Sequence, residues 1–257
     1  MVRGMYIAGT GMTLQRRHME VITNNISNAD TTGYKKEYLV SHSFDEVMTR
    51  RINDTHVVGQ TMTASHRAPQ VGPLNLGTQV DQLYVNYSEG SLDGTERSTD
   101  LALVGDAFFV MQTPGGERYT RSGAFYINEL GYLADGEGNL LLGENGSIMV
   151  GGLDFTVDQT GAVQAGGSYI DRIRVVSFGD NGALRKQGSN LYSSLAGPQA
   201  ANPYSIAQGF LEMSNVEIGR EMVDMLAIFR TYESNQRMLS MIDETVGKAV
   251  NEIGRLR

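Results

Sequence analysis

Residues 214–257 read SNVEIGREMVDMLAIFRTYESNQRMLSMIDETVGKAVNEIGRLR and contain no proline. Apolar and aromatic residues recur at alternating steps of three and four, the spacing that places them on one face of a helix. Charged residues such as Arg220, Glu233 and Lys248 lie between them. The pattern predicts a long heptad helix that begins near residue 215 and extends about 60 Å. Its seam positions are Ile218, Met222, Met225, Phe229, Tyr232, Gln236, Leu239, Asp243, Val246, Val250 and Ile253.

A second pattern of the same kind opens the chain. A helix over the first 28 residues would span only about 40 Å, so an antiparallel pair leaves part of the longer seam uncovered. An uncovered apolar seam is normally filled by another chain. The periodicity alone leaves a second interpretation open, in which both helices pack on one globular core. The N-terminal seam positions are Met5, Ala8, Met12, Gln15, Met19, Ile22 and Ile26.

The apolar positions of the two seams predict a subunit interface. Polar seam residues such as Gln236 and Asp243 fit either interpretation, because they cost stability but fix the register between helices. The predicted interface residues are Met5, Met12, Met19, Ile22, Ile26, Ile218, Met222, Met225, Phe229, Tyr232, Leu239, Val246, Val250 and Ile253.

The sequence between the two helical patterns changes character twice. Asn24–Lys36, NNISNADTTGYKK, predicts a helix end and a defined turn, since its residues favour caps and Gly33 suits a left-handed position. Residues 31–76 are mostly polar and predict an extended connecting arm, in which Phe44–Ile52 favours a short helix. Residues 77–209 contain short β-rich runs separated by glycines, which predict an antiparallel β domain with a connector.

The predicted fold class is therefore α+β, with discontinuous terminal helices that form a coiled coil and a central antiparallel all-β domain. Residues 1–30 and 210–257 make up the helical domain in this division, residues 31–76 the arm, and residues 77–209 the β domain.

Composition limits the function classes. A net charge of −8 argues against a nucleic-acid partner, which prefers a basic face. The chain has no cysteine, which removes disulfides and thiolate chemistry. The start of the chain does not favour a cleaved secretory signal, and no window is apolar enough for membrane insertion.

Candidate chemistry is sparse. The four histidines have no second ligand at metal-binding spacing, and Asp135–Asn139 lacks the remaining positions of a calcium loop. Gly9 and Gly11 begin a dinucleotide fingerprint that Leu14 interrupts. Asp100 and Asp106 lie in the β region without an aromatic cluster for sugar stacking. We therefore expect no catalytic residue, no cofactor and no metal.

Three regions together resemble the flagellar axial proteins of bacteria, the rod, hook and hook-associated family. Asn24–Lys36 resembles the N-terminal rod signature of that family. Thr99–Gly143, TDLALVGDAFFVMQTPGGERYTRSGAFYINELGYLADGEGNLLLG, is similar to its central β motif. Gln208–Glu244, QGFLEMSNVEIGREMVDMLAIFRTYESNQRMLSMIDE, is similar to its C-terminal helix. The length suits a rod protein, either the distal rod component or its close proximal relative.

The resemblance implies a structural subunit of the basal-body rod, which polymerises into a helical tube and transmits motor torque to the hook. It implies export by the flagellar type III apparatus without a cleaved signal, and neighbouring rod and hook proteins as partners. It also implies terminal helices that pack as concentric coiled coils. Two other functions remain open at this point: an all-β adhesin or carbohydrate-binding module on a helical stalk, and a hydrolase that uses carboxylates of the β domain.

Overall fold

A computed structural model describes residues 2–50, 55–58, 61–64, 70–152, 154–188, 190–194, 196–201 and 203–254. Helix α1 (Val2–Ser27) lies at the start of the chain and helix α2 (Ile218–Gly254) at its end. Strands and one short 3-10 helix (Asn181–Ala183) occupy the sequence between them. The predicted α+β class, with terminal helices and a central antiparallel β domain, is confirmed. Within the described residues, no helix combines the length and apolar character that crossing a lipid bilayer requires.

The chain folds into two compact units. The first comprises Met1–Val21, Leu39–Leu83 and Val223–Arg257, and the second comprises Ile22–Tyr38 and Tyr84–Met222. The domain boundaries drawn from the sequence stay a prediction, because compactness within one chain does not show which segments act together in an assembly.

Strands that follow α1 form paired ladders. Strand β1 pairs with β6, while β2 with β5 and β3 with β4 are antiparallel pairs. The helix predicted within Phe44–Ile52 is wrong, because Val47 and Met48 pair with Leu74 and Pro73 in a β ladder; residues 51 and 52 lie outside the described residues. The bounds are β1 (Glu37–Ser43), β2 (Val47–Arg50), β3 (Thr55–Val58), β4 (Thr61–Ala64), β5 (Gln70–Leu74) and β6 (Thr78–Val85).

The second unit contains the remaining strands. In chain order they are β7 (Leu92–Gly94), β8 (Leu101–Val104), β9 (Phe108–Thr113), β10 (Gly116–Thr120), β11 (Tyr126–Ile127), β12 (Leu133–Ala134), β13 (Leu140–Leu141), β14 (Phe155–Val157), β15 (Ala162–Ala165), β16 (Ser168–Arg172), β17 (Val175–Ser177), β18 (Leu184–Gln187), β19 (Leu191–Ser194), β20 (Gln199–Ala200), β21 (Ser205–Gln208) and β22 (Phe210–Glu212). The largest sheet has the order β11-β12-β13-β9-β10-β19-β18, and β17 joins it beside β9. Smaller sheets are β14-β15-β16, β8-β21 and β7-β22.

Strand β9 is the centre of the β domain. Its side chains alternate between two hydrophobic clusters, so Phe109 and Met111 face one and Phe108 and Val110 face the other. Both faces of the strand are buried, which explains why its sequence is a continuous apolar run. The last two strands before α2, β21 and β22, pair with β8 and β7. This pairing places the first turn of α2 beside the β domain.

Candidate assembly interface and the polar junction

Helices α1 and α2 lie side by side and antiparallel within the first unit. A Cβ atom placed on Gly4 would lie 3.1 Å from Cδ1 of Ile242, and one placed on Gly11 would lie 3.0 Å from Nδ2 of Asn235. The contact advances by seven residues along α1 while it recedes by seven along α2. The two glycines allow close approach of the helices because any larger residue would push against the partner.

A heptad series of α2 residues is partly buried. Tyr232, Asn235, Leu239 and Ile242 belong to it, and the spacing of three and four is that of one helix face. The members of the series are Met225, Ile228, Tyr232, Asn235, Leu239, Ile242, Val246 and Ala249. Every second member lies one residue before the predicted position: Ile228, Asn235, Ile242 and Ala249 are partly buried, whereas the prediction has Phe229, Gln236, Asp243 and Val250.

The predicted interface residues therefore fall into several environments in the single chain. Ile22 is buried, and the exposed members are Ile218, Met222, Phe229 and Val250. The side chain of Ile253 lies outside the described residues. The partly buried members are Met5, Met12, Met19, Ile26, Met225, Tyr232, Leu239 and Val246. The assignment of these residues to a subunit interface stays a prediction.

Helix α2 leaves much apolar surface in water. Leu226 is 58 % exposed, Phe229 47 % and Met241 60 %. Among the described side chains of α2, Glu221 is the one that is buried. Because most helical stability in proteins comes from packing of an apolar face, this helix gains little stabilisation from its own chain.

An apolar groove lies beside α1 in the first unit. Met5, Gly9 and Thr13 line it from α1, together with Phe44, Val80 and Leu239, and its cavity volume is 780 Å³. The Tyr6 ring, 53 % exposed, lies at the same site, with its centroid 6.3 Å from that of Phe44. None of the described residues that line the groove is charged. A groove of this size and polarity suits an apolar side chain or helix edge.

His18 on α1 is a titratable group in the same unit. Burial lowers the pKa of His18 below its usual value, while a hydrogen bond with the backbone of Leu39 acts in the opposite direction. The Nε2 atom is buried and has no hydrogen-bond partner among the described residues. The neutral imidazole is therefore the form that this packing favours.

A buried ion cluster lies in the second unit, where the chain leaves α1 and where it approaches α2. Nζ of Lys35 lies 2.5 Å from Oε1 of Glu212, and both side chains are inaccessible to solvent. Nη1 of the equally buried Arg121 lies 3.5 Å from the other Glu212 oxygen. Lys35 also donates to the carbonyl of Ser88 at 2.8 Å. Burial lowers the pKa of Lys35, and the Glu212 carboxylate opposes this shift.

Arg121 is held by backbone carbonyls as well. It donates to the carbonyl of Leu103 at 3.1 Å and to that of Gly105 at 2.7 Å. The backbone N–H of Gly90 donates to Glu212 at 3.0 Å. Buried charges are tolerated when they are paired and hydrogen-bonded in this way, so the cluster fixes five segments of the chain against one another.

A second polar cluster surrounds Asn25, which is 1 % exposed. Its side chain donates to Oε2 of Glu221 at 3.2 Å and accepts from the hydroxyl of Tyr34 at 3.1 Å. Its amide also exchanges two hydrogen bonds with the backbone of Glu37, at 2.8 Å and 3.0 Å. Lys36 forms an ion pair with the same Glu221. The end of α1 is thereby bonded to the first turn of α2.

Gly33 allows the turn that connects these clusters. Its φ is +68°, and a Cβ atom at this position would lie 2.4 Å from the backbone nitrogen of Ser122. Its N–H donates to the carbonyl of Glu212 at 2.7 Å. Nearby, Asn215 accepts from the N–H of Lys36 at 2.7 Å. We call this whole arrangement, residues 24–37 with Arg121 and residues 212–221, the polar junction.

The sequence predicted a turn at Asn24–Lys36 and a helix that begins near residue 215, but not that these segments meet. Just before the helix, Ser214 accepts a hydrogen bond from the N–H of Val216, at 3.3 Å. Two sequence features mark these segments. Lys35 and Lys36 follow the turn at Gly33, and glutamates lie on either side of the start of α2, at Glu212 and Glu221. Nothing in the sequence pairs Lys35 with Glu212, because the contact spans 177 positions.

A β domain bonded to the adjoining ends of two amphipathic helices, one with a largely exposed apolar surface, is typical of a structural protein. Comparison with known proteins supports the same class. Residues 5–35 match the family described as "Flagella basal body rod protein". Residues 102–165 match "Flagellar hook protein FlgE/F/G D1 domain", and residues 207–252 match "Flagellar basal body rod FlgEFG protein C-terminal".

Curated relatives match over their full length. The chain is 32 % identical to the flagellar hook-basal body complex protein FlhO of Bacillus subtilis, with all of both chains covered. It is 31 % identical to the flagellar basal-body rod protein FlgG of the same species, covering 98 % of this chain and 99 % of the relative. It is also 31 % identical to FlgF of Caulobacter vibrioides over the whole of both chains. The chain belongs to the family of flagellar basal-body rod proteins, which are structural components of the bacterial flagellum.

Proposed function

We propose that this chain is a subunit of the flagellar rod that polymerises into a helical tube and transmits motor torque to the hook. The observation that carries the proposal is the exposed apolar surface of α2, including Leu226, Phe229 and Met241. Several large apolar side chains exposed along one helix favour a surface that binds a partner. Polymerisation would bury this surface and supply the packing that α2 lacks in the single chain.

Torque transmission requires that each subunit resist deformation. The polar junction suits this role, because Lys35, Arg121 and Glu212 join the segment after α1, the β domain and the strand before α2. Charge-assisted hydrogen bonds are directional and strong when buried. A twist applied at the helix roots would therefore pass into the β domain through bonds rather than through a hinge.

The proposed partners and export route rest on membership of the family. The related chain from Bacillus subtilis is named as a protein of the hook-basal body complex, and we propose that other rod and hook proteins adjoin this chain. We also propose export by the flagellar type III apparatus. Cells that lack the export apparatus should then retain the chain inside, and delivery to the envelope in such cells would contradict that part of the proposal.

Polymerisation can be tested with Phe229→Ala combined with Leu239→Ala. Purified wild-type chain should form sedimentable filaments, and the double variant should remain monomeric while its β domain unfolds at an unchanged denaturant concentration. The matched control is Arg237→Ala with Ser240→Ala, two exposed polar positions of the same helix segment.

Leu239 also lines the groove of its own chain, so a second variant separates folding from assembly. Phe229→Glu alters an exposed residue. It should block filament formation and leave the folding of the single chain unchanged. Normal filaments from both the double variant and Phe229→Glu would contradict the proposal.

A further inference from the structure

One exposed face of α2 is uncharged over five turns. Its members follow one another at steps of four and three, and each is exposed in the single chain. We call this face the methionine stripe, because Met238 (54 % exposed) and Met241 (60 % exposed) are its largest members. The stripe consists of Ala227, Thr231, Ser234, Met238, Met241 and Thr245.

Two hydroxyl groups of the stripe are bonded within the helix. Thr231 donates to the carbonyl of Ala227 at 2.9 Å, and Thr245 donates to the carbonyl of Met241 at 2.7 Å. Burying a polar group is costly only when its hydrogen bonds are left unmade. These two threonines can therefore lose their water at low cost.

The groove beside α1 has the same property. Thr10 donates to the carbonyl of Ile7 and Thr13 to that of Gly9, each at 3.0 Å. Gln79, which also lines the groove, is bonded to His42 at 2.6 Å. The groove and the stripe are thus both uncharged, and contact between them would leave no charge and none of these four threonine donors without a partner.

The stripe of a chain cannot fill the groove of the same chain. Leu239 is the α2 residue that lines the groove, and at about 100° per residue Met238 and Thr245 point roughly 100–120° away from it around the helix. Met241 points about 160° away. Among the described residues of α2, the stripe therefore points away from this groove and is free to contact another chain.

We infer that the groove receives the methionine stripe of a second copy, with Met238 and Met241 seated between α1 and Phe44. This inference rests on the proposed polymerisation and assigns its contact. Methionine suits the role because its unbranched, polarizable side chain fits irregular apolar cavities. The groove, at 780 Å³, lies within the range of about 300–1,000 Å³ that is usual for binding cavities.

The geometry of such a contact favours an open polymer. Groove and stripe are different surfaces of one chain, so a bound pair still offers one free groove on one copy and one free stripe on the other. A heterologous contact of this kind adds copies without limit when its rotation does not close a ring. One repeated contact would therefore be sufficient to propagate a helical array.

The chain contains no cysteine, which permits a direct cross-linking test. The double variant Thr13→Cys with Met241→Cys places one thiol in the groove and one on the stripe. Mild oxidation during assembly should give a ladder of covalent dimers, trimers and longer species on a non-reducing gel. Each single variant should give no species larger than a dimer, because it carries one thiol per chain.

The matched control is Thr13→Cys with Ser240→Cys. Ser240 is exposed and adjacent to Met241, but it points about 100° away from it around the helix. Filaments without a ladder from the Thr13/Met241 pair would overturn the contact while leaving polymerisation intact. Equal ladders from the control pair would also overturn it. A ladder without filaments would support the contact and count against the tube, whereas absence of both would contradict both proposals.

Discussion

Nζ of Lys35 lies 2.5 Å from Oε1 of Glu212, although 177 positions separate the two residues in the chain. Lys35 follows the turn after α1, and Glu212 ends the strand that leads to α2. This buried ion pair therefore joins the two ends of the β domain from which the helices emerge. Its energetic role can be tested apart from assembly.

Lys35→Met should destabilise the second unit by about 3–5 kcal/mol, because among the described residues it leaves the buried Glu212 with the more distant Arg121 as its charged partner. Denaturant unfolding of the monomer, followed by tyrosine fluorescence, measures the effect. Arg17→Met is the control, since the Arg17–Glu20 ion pair is about half exposed and surface pairs contribute about 0–1 kcal/mol. Equal midpoints for the two variants would show that the cluster contributes no stability of its own.

Gly33→Ala should destabilise the chain by about 1–3 kcal/mol, because the residue adopts φ +68° and a Cβ atom would collide with the backbone of Ser122. Gly247→Ala is the matched control: it lies inside α2, and a Cβ atom there meets nothing within 4 Å. Alanine in a helix interior is favoured by about 1 kcal/mol over glycine. Thermal unfolding should therefore move in opposite directions for the two variants, and a neutral Gly33→Ala would refute the assigned backbone conformation.

The fold class could be predicted from the sequence because two local patterns indicate it. The heptads of residues 218–253 predicted α2, and the glycine-punctuated apolar runs predicted the β domain. The helix expected in Phe44–Ile52 failed because its apolar residues fit a helix spacing equally well, and pairing of Val47 with Leu74 decided in favour of a strand. Strand pairing depends on residues that are distant in the sequence, and a short sequence window does not contain them.

The proposed assembly surfaces could be predicted from the sequence only in part. Heptad spacing showed that α2 has apolar faces, but it could not tell which face meets α1, because Phe229 and its neighbour Ile228 are both apolar. Contact with Gly11 places Asn235 rather than Gln236 toward α1, and this leaves Phe229 exposed. The polar junction was missed because charge pairing between residues 35 and 212 leaves no periodic trace.

Acidification should weaken the first unit through His18. Burial lowers the pKa of His18 in the folded chain, so the unfolded chain binds more protons near its ordinary value of about 6.5. The associated stability is present above that value and is lost as pH falls through the lower, folded pKa. Melting curves of the wild-type chain between pH 7.5 and 5 should show this loss, and His18→Gln should reduce it.

His42→Gln is the control for that titration, because His42 is an exposed histidine of the same unit. It should leave the pH profile of the melting curve as in the wild type. An unchanged profile in His18→Gln would mean that other groups cause the acid sensitivity.

Amide hydrogen exchange should distinguish the body of α2 from the core strands of the β domain. In the dilute monomer, amides of residues 223–254 should exchange fast, because α2 has no buried apolar side chain among its described residues and helix stability depends on such burial. Strands β8 and β9 should exchange slowly, since they form the core of the β domain. In sedimented filaments, α2 should become protected while β8 and β9 change little. Strong protection of α2 in the monomer would mean that one chain satisfies the helix by itself, and the exposed methionine stripe would then lose its reason to bind another copy.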